Sequence, residues 1–152
     1  MRKSEKEIKN RAELEEVIQK AEVCRLGFVD GDEPYIVPMN FGYRDNALYF
    51  HCAPEGRKLD LIRKNNKVCF ELEADVELIS GTPACRWSTL FRSVIGTGRA
   101  FIVEENDAKL RGMAILMAHY TKSPPLFEPE NLAKAVVIRV DIIQMTGKKS
   151  RI

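Results

Sequence analysis

Long apolar runs are missing: no stretch approaches the roughly 18 residues that span a bilayer. The opening Met1-Arg2-Lys3-Ser4-Glu5-Lys6 leads into further charge rather than an apolar signal core. A membrane protein is not expected, and a cytoplasmic one is. Cysteine and histidine are scarce and scattered. Cys24, Cys52, Cys69 and Cys85 form no C-x-x-C pair, and His51 and His119 are the only imidazoles, which argues against a zinc site. Each cysteine lies in an apolar or strand-like stretch, so buried free thiols in a reducing compartment are expected. An excess of one charge is also missing. Lys and Arg number 24 against 22 Asp and Glu, a difference of +2, which gives no basic surface for nucleic acid and confines any phosphate contact to a local site. With 45% apolar and 30% charged residues in 152, and no internal repeat, the chain reads as one soluble domain over 1–152.

Ser4 with Glu7 and Asn10 with Glu13 both have capping-box spacing, and Leu14, Val17, Ile18 and Ala21 recur at helical intervals, which predicts an N-terminal helix ending near Glu22. Strands are expected over Cys24–Val29, Tyr35–Tyr43 and Ala47–Cys52, joined by turns at 30–33 and 44–46 into a three-stranded meander. Pro38 makes the second of these an edge, a bulge or an interruption. A short helix follows Pro54-Glu55-Gly56, then a strand over Lys67–Leu78 and a loop over Ser80–Thr89 with the only tryptophan, Trp87. In the strand Arg92–Val103 the face Val94, Gly96, Gly98, Ala100, Ile102 is small enough to admit another backbone or a flat ligand. Asp107–Tyr120 reads as a helix with Leu110, Met113, Ala114 and Met117 on its apolar face, and Ala135–Met145 as a closing strand. About six strands and three helices, with connections too short for parallel crossovers, describe an antiparallel barrel or an α+β roll.

The segment Tyr49 to Lys58 carries the clearest chemistry. A strand ends, Gly56 follows, and the adjacent cations Arg57 and Lys58 open a helix. Free amides at a helix start favour an anion, glycine lets backbone approach, and a guanidinium can grip two phosphate oxygens, so the pattern fits a phosphate cradle as well as a solvated patch. His51 stands beside it as a candidate proton donor or hydrogen-bond donor, or as a structural histidine; His119 fits a cap on its own helix. Pro38, Met39 and Asn40 could offer polar groups to the edge of a flat heterocycle, or form a packed bulge. Trp87 fits a ligand wall or a subunit anchor.

Taken in order, Pro38-x-Asn40, Tyr49-x-His51, Glu55-Gly56-Arg57-Lys58, Val68-x-Phe70, a Trp-containing loop, Arg92-Ser93-Val94-Ile95-Gly96-x-Gly98 and Thr146-Gly147-Lys148 resemble the FMN-binding split-barrel family related to pyridoxamine phosphate oxidase. Within it the nitroimidazole-resistance branch is most similar. The resemblance implies a six-stranded antiparallel split barrel with flanking helices that forms a homodimer, with FMN between the subunits. Arg57 and Lys58 would hold the FMN phosphate and Gly56 would shape the turn. Pro38, Met39 and Asn40 would lie along the isoalloxazine, and His51 would face flavin and substrate. Trp87, Ser88, Arg92 and Ser93 would reach in from the partner. The implied activity is that of an FMN-dependent oxidoreductase on a small molecule such as a nitroaromatic reduced to its amine, with a non-catalytic flavin- or haem-binding module as the alternative. The longer C-terminal substrate motif of true pyridoxamine phosphate oxidases is lacking, so vitamin B6 oxidation is not implied.

Overall fold

The computed structural model describes residues 4–124 and 126–150. Along the chain run β1 (Glu7–Ile8), α1 (Arg11–Lys20), β2 (Cys24–Asp30), β3 (Glu33–Met39), β4 (Gly42–Arg44), β5 (Ala47–Cys52), α2 (Arg57–Lys64), β6 (Lys67–Ile79), β7 (Ser88–Val103), α3 (Asn106–Tyr120), α4 (Pro129–Lys134) and β8 (Val136–Lys149). No helix among the described residues is long and apolar enough to cross a membrane.

The strands form one sheet in the order β3-β2-β6-β7-β8-β5-β4, with β1 adding to the end of β8, and every neighbouring pair is antiparallel. Its two edges, β3 and β4, are separated in sequence only by Asn40 and Phe41, so the sheet must curl until they nearly meet. Among the described residues no ladder closes that seam, which makes the fold an antiparallel barrel left split. Six longer strands carry it, as the resemblance implies, and β1 and β4 are short additions. Leu26, Leu48, Phe50, Phe70, Val94 and Ile138 fill the interior. α2 buries Leu59, Leu61 and Ile62, and α1 buries Leu14, Val17 and Ile18.

Several expectations are corrected. The helix begins at Arg11 rather than at the terminus: Asn10 caps it, its Oδ1 accepting from the Ala12 N–H at 2.8 Å. Ser4–Lys6 form a 3-10 turn and Glu7–Ile8 pair with Gly147 and Lys148, because Ile8 is worth more buried against β8 than on a helix. The expected second strand is broken in two at Asn40–Phe41: β3 pairs with β2, while β4 pairs with β5 across the expected turn, and the other neighbour of β5 is β8. On α3 the buried positions are Gly112 and Leu116, while Leu110 is exposed; Asn106, Asp107, Lys109 and Arg111 gather near its start and apolar residues fill the rest, so no single apolar stripe marks its face. His119 does not cap its own helix. Its Nε2 lies 2.7 Å from the Ala21 carbonyl and ties α3 to the end of α1. α4 was not expected, and of the four cysteines only Cys24 is buried, with Cys69 exposed on the pleat's outward side and Cys85 exposed in a 3-10 turn over Ala84–Arg86.

The small face of β7 admits backbone, not a ligand. A Cβ at Gly96 would run into the Phe70 ring and stand 2.6 Å from the Gln144 carbonyl oxygen, and one at Gly98 would stand 2.5 Å from the Asp141 oxygen. Gly96→Ala is therefore expected to destabilise the fold by about 1–3 kcal/mol in urea titration, since a carbonyl held in the β7–β8 ladder cannot move aside.

Candidate functional site

At the open seam the ends of β3 and β5 come together with the start of α2. Pro38, Met39 and Asn40, then His51 and Cys52, then Lys58 line a shallow cleft of about 320 Å³. The structure thus brings together residues that the sequence offered as separate candidates. Pro38 sits on the edge strand β3, where its missing N–H costs no internal ladder bond. Met39 pairs with Cys24 on the inward face and is almost buried, so it presents backbone rather than side chain to the cleft. Asn40 and His51 are exposed, the latter because β5 alternates Leu48 and Phe50 inward with Tyr49 and His51 outward.

Gly56 caps α2 with φ 137°, a conformation that a side chain would strain, and supplies no side-chain cap. The amides of Leu59 and Asp60 turn back to the Gly56 carbonyl at 3.0 and 3.4 Å, while those of Arg57 and Lys58 have no partner among the described residues. Lys58 is half-buried with no carboxylate within ion-pair distance among those residues. The Lys58 ammonium donors are therefore free to meet an anion at the helix start.

Arg57 is held rather than free. Its Nε and Nη2 donate to one oxygen of Asp30, at 3.3 and 3.0 Å, and its guanidinium lies 4.5 Å above the centre of the Tyr35 ring. One edge and one face are thereby fixed, and the terminal Nη1–Nη2 edge keeps two parallel donors for a second anion. Asp30 and Tyr35 escaped the sequence reading, because the turn Asp30-Gly31-Asp32-Glu33 shows nothing but turn chemistry and its partner lies 27 residues away. Cys52 shares the cleft, but burial pushes its thiol up against the opposing pull of Lys58 and keeps it a poor nucleophile.

Trp87, Ser88, Arg92 and Ser93 do not line this cleft. Trp87 is exposed at the start of β7. Arg92 turns its Nε and Nη2 to its own chain, reaching Asp75 at 2.6 Å and Glu16 at 2.9 Å, and so fastens α1 to β6 and β7. The hydrogen bond from Arg92 holds the Glu16 carboxyl down at about 2.

The sequence profile of the pyridoxamine 5'-phosphate oxidase family matches residues 10–149, which takes in every barrel strand except β1 and the whole cleft. The chain belongs to that family. Among solved structures this family member is similar to a Bacteroides thetaiotaomicron protein described as a candidate 5-nitroimidazole antibiotic resistance protein. The TM-score is 0.84 at 33% identity, covering 94% of this chain and 86% of that one. The FAD and haem binding protein of Mycobacterium smegmatis shares the fold at TM-score 0.84 and 16% identity, covering 96% of this chain and 74% of its own. A curated relative, the uncharacterised protein RA0666 of Rhizobium meliloti, is 33% identical over 92 residues; the match spans 60% of this chain and 54% of that relative.

Proposed function

We propose that this family member is an FMN-dependent oxidoreductase acting on a small flat acceptor of the nitroheteroaromatic class. One observation carries the proposal: a half-buried, uncompensated Lys58 and a pre-positioned Arg57 flank unpaired amides at the start of α2, beside a cleft lined by Pro38, Asn40 and His51. That donor set suits a terminal phosphate, and the exposed Asn40 amide and the strand-edge backbone suit the polar rim of a flat ring. Bound flavin would supply two-electron hydride chemistry. The chain's own work would be to grip the phosphate with Arg57, Lys58 and Gly56, to orient the ring along Pro38, Met39 and Asn40, and to present the His51 imidazole N–H to the acceptor. The Bacteroides relative's description supports the acceptor class. The test is the absorbance spectrum of the purified protein, followed by titration with FMN, FAD and haem. Flavin bands and tight FMN uptake support the proposal, a Soret band favours a haem-binding module of the kind seen in the Mycobacterium fold neighbour, and a colourless protein that ignores FMN overturns it.

A homodimer belongs to the same proposal, since one chain offers only a shallow, open cleft. The outward pleat carries Ile36, Ile95 and Ile143 at 62%, 56% and 65% exposure, and a groove of about 320 Å³ runs beside them past Gly27, Cys69 and Thr97. Apolar side chains gathered on one sheet face suit a second copy, whose Trp87, Ser88 and Ser93, with Arg92 holding their strand, would complete the flavin site. Ile95→Lys is expected to give a monomer in light scattering after gel filtration and to weaken FMN binding with it.

A further inference from the structure

Among the hydrogen-bonding side chains of the cleft, His51 stands in the β5–β8 ladder and Lys58 on α2, but Asn40 has neither support. Met39 ends β3 paired with Cys24 and Gly42 opens β4 paired with Tyr49, so Asn40 and Phe41 cross the seam between two ladders and belong to neither. We infer that Tyr120, at the end of α3, is a positioning residue that sets Asn40 against the flavin ring, an inference that rests on the flavin reading of the cleft.

The brace is made by two consecutive residues. The Phe41 N–H donates to the Tyr120 hydroxyl at 3.0 Å, and that hydroxyl donates its own proton to the Glu22 carbonyl at 2.8 Å, so it is held from two sides. The neighbouring His119 donates from Nε2 to the Ala21 carbonyl at 2.7 Å and sets its ring 4.3 Å from that of the fully buried Phe41. The end of α3 thereby ties the joint after α1 to the joint between β3 and β4. Gly42 fixes how closely the helix lies. A Cβ there would stand 2.6 Å from the Ile115 carbonyl oxygen and from the Leu116 Cα, so the backbone of α3 rests on β4 itself. The effect reaches Asn40 through one peptide plane. Its carbonyl and the Phe41 N–H belong to the same rigid unit and point opposite ways, so anchoring the N–H limits where the Asn40 carbonyl and side chain can turn. Without that anchor nothing in the sheet would hold the crossing at one angle, and the amide would meet the ring only part of the time.

The test is flavin fluorescence quenching with FMN and with riboflavin, on single variants and on a double-mutant cycle. Tyr120→Phe keeps the ring, which is 40% exposed, and removes only the hydroxyl, so the barrel should fold. It is expected to weaken FMN and riboflavin alike by about three- to tenfold, because the ring and not the phosphate has lost its guide. In an Asn40→Ala background the same substitution should cost less than about twofold, since the side chain it positions is gone. Val94→Ala, a core truncation on β7, should lower the urea midpoint yet leave both affinities within about twofold, which separates positioning from general loosening. Wild-type affinity in Tyr120→Phe, a loss confined to FMN, an undiminished loss in the Asn40→Ala background, or an equal loss in Val94→Ala overturns the inference while the flavin reading stands. A wild-type protein that binds neither flavin overturns that reading, and the inference falls with it.

Discussion

Replacing Arg57 and Lys58 together by alanine is expected to weaken FMN binding by about 10²–10⁴-fold while leaving the affinity for riboflavin almost unchanged. Each charge-assisted hydrogen bond to phosphate is worth about 1.5–3 kcal/mol, so losing two cations removes about 3–6 kcal/mol, and the fold-change follows directly. Riboflavin lacks the phosphate and has nothing to lose. Flavin fluorescence quenching reads both constants, and equal losses for the two ligands would mean that the variant had damaged the cleft rather than the cradle. Neither side chain holds the barrel together. Arg57 is exposed, and the core of α2 is Leu59, Leu61 and Ile62. Asp30→Asn makes a finer cut. Its carboxylate occupies the Nε edge of Arg57 and leaves the terminal edge free, so it orients the guanidinium without competing for phosphate. A several-fold loss for FMN and none for riboflavin is expected; tighter FMN binding in Asp30→Asn would mean that the carboxylate competes.

The helix start and its cation pair were legible because their parts are consecutive: Gly56, Arg57 and Lys58 stand within three residues. The restraint on Arg57 was not, since Asp30 and Tyr35 reach it only after β2 and β3 fold back. The same distinction runs through the fold. Alternation along 47–52 and 136–142 revealed strands, but the pairing of His51 with Val137 spans 86 positions, and no local signal directs β5 to β8 rather than to β3. Asn40 and Phe41 look like the interior of one long strand. The chain breaks there because Phe41 is buried and its N–H goes to the Tyr120 hydroxyl at 3.0 Å, a contact 79 residues distant. The glycines at 96 and 98 announced close approach without saying to what, and the space is taken by the Phe70 ring and the β8 backbone. Helix α3 hid its face because its polar residues gather at its start rather than along one side, which leaves no clear apolar stripe.

His51→Ala is expected to keep FMN within about threefold of the wild-type affinity and to lower kcat for reduction of a 5-nitroimidazole by about 10²–10⁴-fold, the range a positioned general acid supplies. The imidazole is exposed, outside the core and off the phosphate cradle, so neither folding nor cofactor retention depends on it. Reducing a nitro group places negative charge on oxygen, and an N–H at the cleft rim can stabilise that charge either by transferring a proton or by hydrogen bonding alone. His51→Asn separates the two, since the amide keeps an N–H donor but has no proton to give at neutral pH. Recovery of most of the lost rate in the asparagine variant assigns His51 to orientation of the acceptor; a rate as low as that of alanine assigns it to proton transfer. Wild-type kcat in His51→Ala would remove the histidine from the reaction and leave Asn40, the other exposed hydrogen-bonding side chain lining the cleft, as the group that meets the acceptor.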